Sequence, residues 1–407
     1  MRSRRLPKDD GSSALGLSRQ RYRMDSASRR VVAAGFFNFL TLALLLPIIP
    51  RFVKGPLHSG DIAVGVAVAS FSVAAMATRP AVGRFGDRHG RRTLLTFGAG
   101  LMVVALVGHL FAHNLGVFLA LRAVHALGSA AFYTGALSMM VDLAPPDRKG
   151  GAVSVFTIGR NVAYAFGPVL GEMIVRTWGY NVLWATSALA AAAALVLGMG
   201  VAETKREVAA PDVSSKWFPR ASIAPGLVIA LVMFGYASLT TFAALYVRSL
   251  GVSDAGGVFL IHAVVVIAIR VVTASRIDRF NPRHTARVAL GSSTIGLVII
   301  GSWHHVAGLY GGVLLFSTGV ALIVPALVML LLESAAPEEQ TSALGTFTAF
   351  FDFGIAAGAL TLGVVATVWG YAAVYVVAGV VVAGGFFVIP KSRVGTISNS
   401  DAGSGNA

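Results

Sequence analysis

Three charged residues stand ten or more positions from any other charge: Arg122, Arg160 and Asp352. Each is embedded in an apolar run, where a charge costs a few kcal/mol unless it faces protein or water, so such positions mark pathways, pairs or binding sites. His125 and Ser129 follow Arg122 at three and seven positions, on the same face of a helix, and Asn161 adjoins Arg160. The chemistry open to this set is holding a charged ligand and exchanging a proton. Burial favours a neutral carboxyl and a neighbouring arginine a charged one, so an Asp352 that switches between those surroundings couples protonation to shape. A permanent Asp352–arginine pair would instead be structural. Bond-making chemistry has no comparable set. The chain has no cysteine, its nine histidines are scattered, and no paired carboxylates lie within the apolar runs. His262 and the His304–His305 pair lack an acid or third ligand at metal-binding spacing, so neither metal nor cofactor is expected. No Gly-x-x-x-x-Gly-Lys-Ser/Thr loop is present to cradle a nucleotide.

The elements that carry these residues are long and apolar. Of 407 residues, 56% are hydrophobic and 13% charged, against about 25% charged in a soluble domain. Val31–Pro50, Thr93–Ala112, Asn181–Ala202 and Tyr371–Pro390 contain no Lys, Arg, Asp or Glu, and each has about the 20 residues that cross a bilayer core. Twelve such spans are predicted, at 31–50, 62–83, 93–112, 115–141, 151–175, 181–202, 221–247, 255–275, 287–304, 306–332, 341–366 and 371–390. They lack the period-two alternation of a membrane barrel, so they are read as helices that satisfy every backbone group in lipid.

A net charge of +15 and a pI near 10.7 would suggest nucleic acid if the charge were spread over a soluble surface. Sorted by loop, however, 25 of the 33 basic residues fall on one side of the spans and four (Arg51, Lys54, Arg176, Arg248) on the other. That split predicts a cell-membrane protein with both termini cytoplasmic and no nucleic-acid partner. The expected organisation is a basic tail over 1–30, six helices over 31–202, a polar linker over 203–220, six more helices over 221–390 and a tail over 391–407. The halves repeat. Arg79 and Asp87 recur as Arg270 and Asp278, Pro146 and Phe156 as Pro337 and Phe347, and Trp178-Gly179-Tyr180 as Trp369-Gly370-Tyr371, always 191 residues on. The same offset makes Asp352 the counterpart of Asn161. Two duplicated six-helix halves are an architecture of secondary transporters, with the substrate site between them near mid-membrane.

Between the second and third spans runs Gly83-Arg84-Phe85-Gly86-Asp87-Arg88-His89-Gly90-Arg91-Arg92. It resembles the signature loop of the major facilitator superfamily, Gly-x-x-x-Asp-Arg-x-Gly-Arg-Arg. By that resemblance Asp87 faces the start of the eleventh span, and Arg88, Arg91 and Arg92 belong to a latch whose rim acid is Asp142. The second-half copy keeps Asp278 and Arg279 but not the glycines. Arg122-Ala123-Val124-His125-Ala126-Leu127-Gly128 is similar to the family's fourth-span arginine motif, which implies a part for Arg122 and His125 in substrate binding or proton coupling. The alternative is that Arg122 ties helices together through carbonyls. Gly159, Ala163, Gly167 and Gly171, with Pro168, resemble the antiporter motif of the family's exporters, although Ala163 and Glu172 replace two of its glycines. Small residues four apart also serve plain helix packing.

The resemblance covers roughly residues 31 to 390 and implies an all-α membrane protein of two pseudo-symmetric six-helix bundles. It implies a secondary transporter working by alternating access, expected to export a small organic compound against proton entry, with Arg122, Asp352, Arg160 and His125 as the coupling set. Import or uniport of a sugar or metabolite is the alternative. Spans one, four, seven and ten would line the cavity, which nominates Asn38, Thr41, Tyr133, Tyr236, Thr240 and Thr318. The expected partners are a small-molecule substrate, protons and the lipid bilayer, with the chain a monomer. A membrane enzyme lacks its convergent groups, and a receptor without flux leaves the duplication around buried charges unexplained.

Overall fold

Runs of Ala, Leu, Val and Gly this long close all their backbone hydrogen bonds locally only as helices, and the described residues are helical almost throughout. The computed structural model describes residues 24–145, 149–204, 220–252, 255–273, 281–335 and 340–389. Its helices are α1 (Ser26–Leu45), α2 (Ile48–Lys54), α3 (Asp61–His89), α4 (Arg91–Gly108), α5 (Leu115–Leu143), α6 (Lys149–Met199), α7 (Ile223–Ser249), α8 (Gly256–Thr273), α9 (Pro282–Ser302), α10 (Val306–Ser334), α11 (Gln340–Ala383) and α12 (Gly385–Val388). Ten are long and apolar enough to cross a membrane. Two of these, α6 with 51 residues and α11 with 44, are about twice the length one crossing needs. Each breaks at a glycine in the left-handed region, Gly179 (φ 83°, ψ 179°) and Gly370 (φ 80°, ψ 176°), where a side chain would be strained. Each is thus long enough for two crossings on either side of its break, so the ten helices are consistent with the twelve spans expected. The two glycines are 191 residues apart, so the repeat seen in the sequence is also a repeat of backbone conformation.

Capping residues mark several starts. Asp25 accepts from Ser28 N at 2.7 Å ahead of α1, Asn114 from Val117 N at 2.9 Å ahead of α5, and Asn281 from Arg283 N at 3.0 Å ahead of α9. One boundary differs from expectation. The stretch 84–92, read as a loop, is helical as far as His89, and Gly90 alone reverses the chain into α4 with φ 100°. The i, i+4 stacking of Phe85 on His89, 4.3 Å between centroids, supports the helix up to that point.

Packing within the halves is parallel. α1 lies on the first arm of α6, as α7 lies on the first arm of α11; α4 packs on α5 and α6, as α9 packs on α10 and α11. The halves meet through α3 with α11 and α6 with α8, which is also a symmetric pairing. Leu189, Val196, Val271 and Phe387 are among the large apolar side chains left exposed around the bundle, as a lipid-facing surface requires. Trp178, Trp303 and Trp369 are exposed at one end, where an interfacial aromatic belt would lie.

Candidate functional site

Counting along the helices from the end that carries the basic loops brings the predicted residues to one level. Asn38 is 12 residues into α1, Arg160 is 11 into α6, Tyr236 is 13 into α7 and Asp352 is 12 into α11. At about 1.5 Å per residue that is roughly 16–20 Å, near the middle of a 30 Å core. The Arg160 guanidinium carbon lies 6.0 Å from the Phe39 ring centroid, and Tyr133 and Tyr164 pack on the same ring at 5.8 and 6.2 Å. Across the interface, Tyr236 packs on His262 at 5.5 Å, and His262 Nδ1 is 2.9 Å from Ser317 Oγ. Tyr164 is within electrostatic reach of both Arg160 and Asp352, and Tyr236 of Tyr164, Arg160 and Arg270. The level is thus a charged and aromatic junction between the halves. Asn38 is fully buried there, with neither amide atom hydrogen-bonded among the described residues. Three other candidates bond to their own helix: Thr41 Oγ1 donates to Asn38 O at 2.7 Å, Thr240 to Tyr236 O at 3.2 Å and Thr318 to Leu314 O at 2.9 Å. Their protons are engaged, and what they offer a ligand is acceptor capacity.

Arg122 stands apart from that junction. It is buried in the first half, its Nε donating to Ala67 O of α3 at 3.3 Å and its guanidinium carbon 4.7 Å from the Phe71 ring centroid. His125 meets the same ring at 5.6 Å, fully buried, with neither ring nitrogen hydrogen-bonded among the described residues. The contacts of Arg122 are those of a helix tie through a carbonyl. The small-residue stripe faces α1. A Cβ on Gly167 would come within 2.4 Å of Ala43 Cβ and one on Gly171 within 2.1 Å of Leu44 O, while Gly159 has more room. Pro168, between them, is buried with the stripe. In the second half Gly354 and Gly358, the 191-offset counterparts of Ala163 and Gly167, approach Ala230 O and Phe234 O of α7 in the same way. Glu172, on the adjoining turn, forms a buried ion pair with Arg51.

At the basic-loop end Arg91 Nε donates to Asp142 Oδ2 at 2.9 Å, which brings together two of the residues expected in the latch. Glu203 accepts from the backbone N–H of Arg91 and Arg92 at 2.8 and 3.1 Å, placing a carboxylate on the N-terminus of α4, and Arg92 Nη2 donates to Met199 O at 2.9 Å. Gly90 favours glycine through its φ of 100°, and a Cβ there would also push the Glu203 carboxylate, 2.3 Å away at Oε2, off the start of α4. Gly83, Asp87 and Arg88 lie in the last turns of α3, and Asp278 lies outside the described residues.

A family model described as Major Facilitator Superfamily matches residues 31–335 and 258–404. The chain belongs to the major facilitator superfamily. A Salmonella typhimurium protein named as the uncharacterized MFS-type transporter STM4428 is 27% identical over 367 residues, 86% of this chain and 92% of its own. Among solved structures, a mutant form of the nucleoside transporter NupG superposes with a TM-score of 0.74 at 12% identity, covering 90% of this chain and all of its own. The human organic anion transporter MFSD10 gives 0.69 at 18%, over 89% and 99%. At such identities the likeness is one of fold.

With the superfamily fold in place, the contacts that sequence reasoning missed are legible. Lys54 Nζ is 3.0 Å from Asp61 Oδ1 and 3.2 Å from Tyr371 Oη, and Tyr371 donates to the same Asp61 oxygen at 2.9 Å. This trio joins the halves at the end opposite the basic loops. Burial works against the Lys54 charge, but its bonds to Asp61 and Tyr371 outweigh that and hold the ammonium above its ordinary 10.5. Just below, Gly65 and Gly363 let α3 and α11 touch backbone to backbone, a Cβ on Gly65 falling 2.2 Å from Ala359 O. The available signal was Tyr371 itself, in the repeated Trp-Gly-Tyr triplet. Its counterpart Tyr180 stays in its own half, against Phe52 at 5.3 Å. Among the described residues no group of three His, Cys, Asp or Glu is placed to hold a metal ion.

Proposed function

We propose that the chain is a proton-coupled secondary transporter that moves a small organic compound by alternating access, with the basic-loop end in the cytoplasm and the Lys54–Asp61–Tyr371 end outside. The observation that carries this reading is the mid-depth junction, where ionisable groups of both halves converge inside an apolar bundle. A site there changes its exposure when the halves rock. Asp352 is the proposed proton carrier, since a carboxyl at that level alternates between charged and neutral as its surroundings alternate. The resemblance of the α6 stripe to the exporter motif supports efflux as the direction. Import is the second reading, favoured by the recurrence of close glycine contacts on α11, which makes the stripe a packing device common to both halves.

The test is transport in inverted membrane vesicles. An exchanger releases protons from an acidified lumen as substrate enters, whereas a symporter accumulates substrate only when the proton gradient is reversed. Asp352→Asn is expected to cut gradient-driven flux at least tenfold while leaving substrate counterflow measurable. Gradient-driven flux that survives the substitution unchanged would remove Asp352 from the mechanism.

A further inference from the structure

The bonds of the Lys54–Asp61–Tyr371 trio divide unequally between the halves. Lys54 ends α2 and Asp61 opens α3, so their 3.0 Å ion pair lies wholly within the first half. Asp61 is also in the first turn of its helix, where the dipole favours a carboxylate. Nothing in that pair has to break when the halves part. The bonds the trio makes across the interface are both carried by one atom. Tyr371 Oη donates to Asp61 Oδ1 at 2.9 Å and accepts from Lys54 Nζ at 3.2 Å. The Tyr371 ring stays with the second half, 6.4 Å from Phe242 of α7, and the Lys54 ammonium is 5.9 Å from its centroid.

The surroundings suit a contact that opens and closes. Lys54 and Asp61 keep 35% and 13% of their side-chain surface exposed, so water can replace the Tyr371 bonds as they break. Below the trio the seam is built of small residues. Ala69, eight residues or about 12 Å along α3 from Asp61, is buried with Ala237 of α7 and with Ala356 and Ala359 of α11. Methyl groups bury little apolar area, so this seam adds little hold of its own. Nor does the repeat supply a second copy of the contact, since Tyr180, the counterpart of Tyr371, packs on Phe52 in its own half.

We infer that the Tyr371 hydroxyl is the releasable latch of this end. While its two bonds stand the end is closed; when they break, the Lys54–Asp61 pair stays with the first half and Tyr371 leaves with the second. The inference rests on the alternating-access reading for its part in transport, and it holds whichever side of the membrane this end faces.

A cysteine at Ala69 in the otherwise cysteine-free full chain, reconstituted in nanodiscs, reports opening by its rate of reaction with a charged maleimide. Tyr371→Phe keeps the ring and removes the hydroxyl. It should raise that rate about three- to tenfold, as the loss of one or two water-exchangeable hydrogen bonds does, in protein that still unfolds cooperatively. Tyr180→Phe, the same change at the repeat counterpart, should leave the rate unchanged. Spin labels at His58 and Ser302 give a second readout, whose distance should lengthen in Tyr371→Phe. Lys54→Met combined with Asp61→Asn strips the hydroxyl of its partners and should raise the rate as Tyr371→Phe does, and adding Tyr371→Phe to that pair should raise it no further. An unchanged rate in Tyr371→Phe, an equal rise in Tyr180→Phe, or a further rise in the triple variant would overturn the inference. Faster labelling in Tyr371→Phe of a protein that shows no flux in vesicles would leave the latch standing and defeat the transporter reading. Flux in a protein whose labelling ignores Tyr371→Phe would do the reverse.

Discussion

The charges that sequence reading set apart as one functional group divide between two environments. Arg160 and Asp352 come within reach of Tyr164 at the junction between the halves, while Arg122 and His125 lie within the first half against Phe71. Their shared isolation along the chain reports burial, and it does not report which neighbour the fold supplies. The rotation of α3 decides that Arg122 meets the Ala67 carbonyl, and rotation is weakly encoded where residues on every face are apolar. Glu203 escaped notice for a related reason. It is separated from Arg91 by 112 positions and lies at the edge of a polar run, so nothing local shows that it reaches the start of α4. Replacing it with Gln should lower stability by about 1 kcal/mol, the usual weight of a charged helix-start contact, read as a drop in melting temperature that a distant surface Glu→Gln does not produce. A double-mutant cycle on Arg91 and Asp142 should give a coupling of about 0.5–1 kcal/mol, as partly exposed pairs do. Lys54 contributes with a definite pH sign. Because its folded value is raised, its stabilisation is fully present below 10.5 and is lost as pH rises through the raised value. The melting-temperature gap between the natural protein and Lys54→Met should therefore be constant from pH 7 to 9 and close only in stronger alkali.

At the scale of helices, run length located the long apolar helices well because the bilayer fixes it, and the gaps expected at 176–180 and 367–370 hold the breaks at Gly179 and Gly370. What the runs could not reveal is which small residues face which helix. Gly171 and Gly65 look alike in sequence, yet one lies against Leu44 within a half and the other against Ala359 of the opposite half. Substituting each by Val separates the roles. Gly171→Val pushes α6 off α1 and should destabilise the fold by 1–3 kcal/mol, about the cost of overpacking a filled core. Gly65→Val should leave the halves folded and hold them apart at the Lys54 end. It should raise the labelling rate of a cysteine placed at the buried Ala69, where Gly171→Val should not do so in protein that still folds.

For the molecule as a whole, the duplication is the feature that organises the rest. The two halves repeat a glycine break, a pattern of helix neighbours and a set of close glycine contacts, and they differ in residue type between Asn161 and Asp352 and in the contacts of the matching Tyr180 and Tyr371. Those differences supply the carboxyl at the junction and the contact that closes the Lys54 end. The central claim is that the halves rock about the junction, opening one end as the other closes. Freedom from cysteine allows spin labels to be placed only where wanted, on exposed His58 and Ser302 at one end and on exposed His89 and Ser334 at the other. Distances measured by pulsed electron resonance between pH 8 and pH 5.5 should change in opposite directions at the two ends, with the pH response abolished in Asp352→Asn. A single unchanging distance at both ends, or the same pH response in Asp352→Asn, would contradict the account.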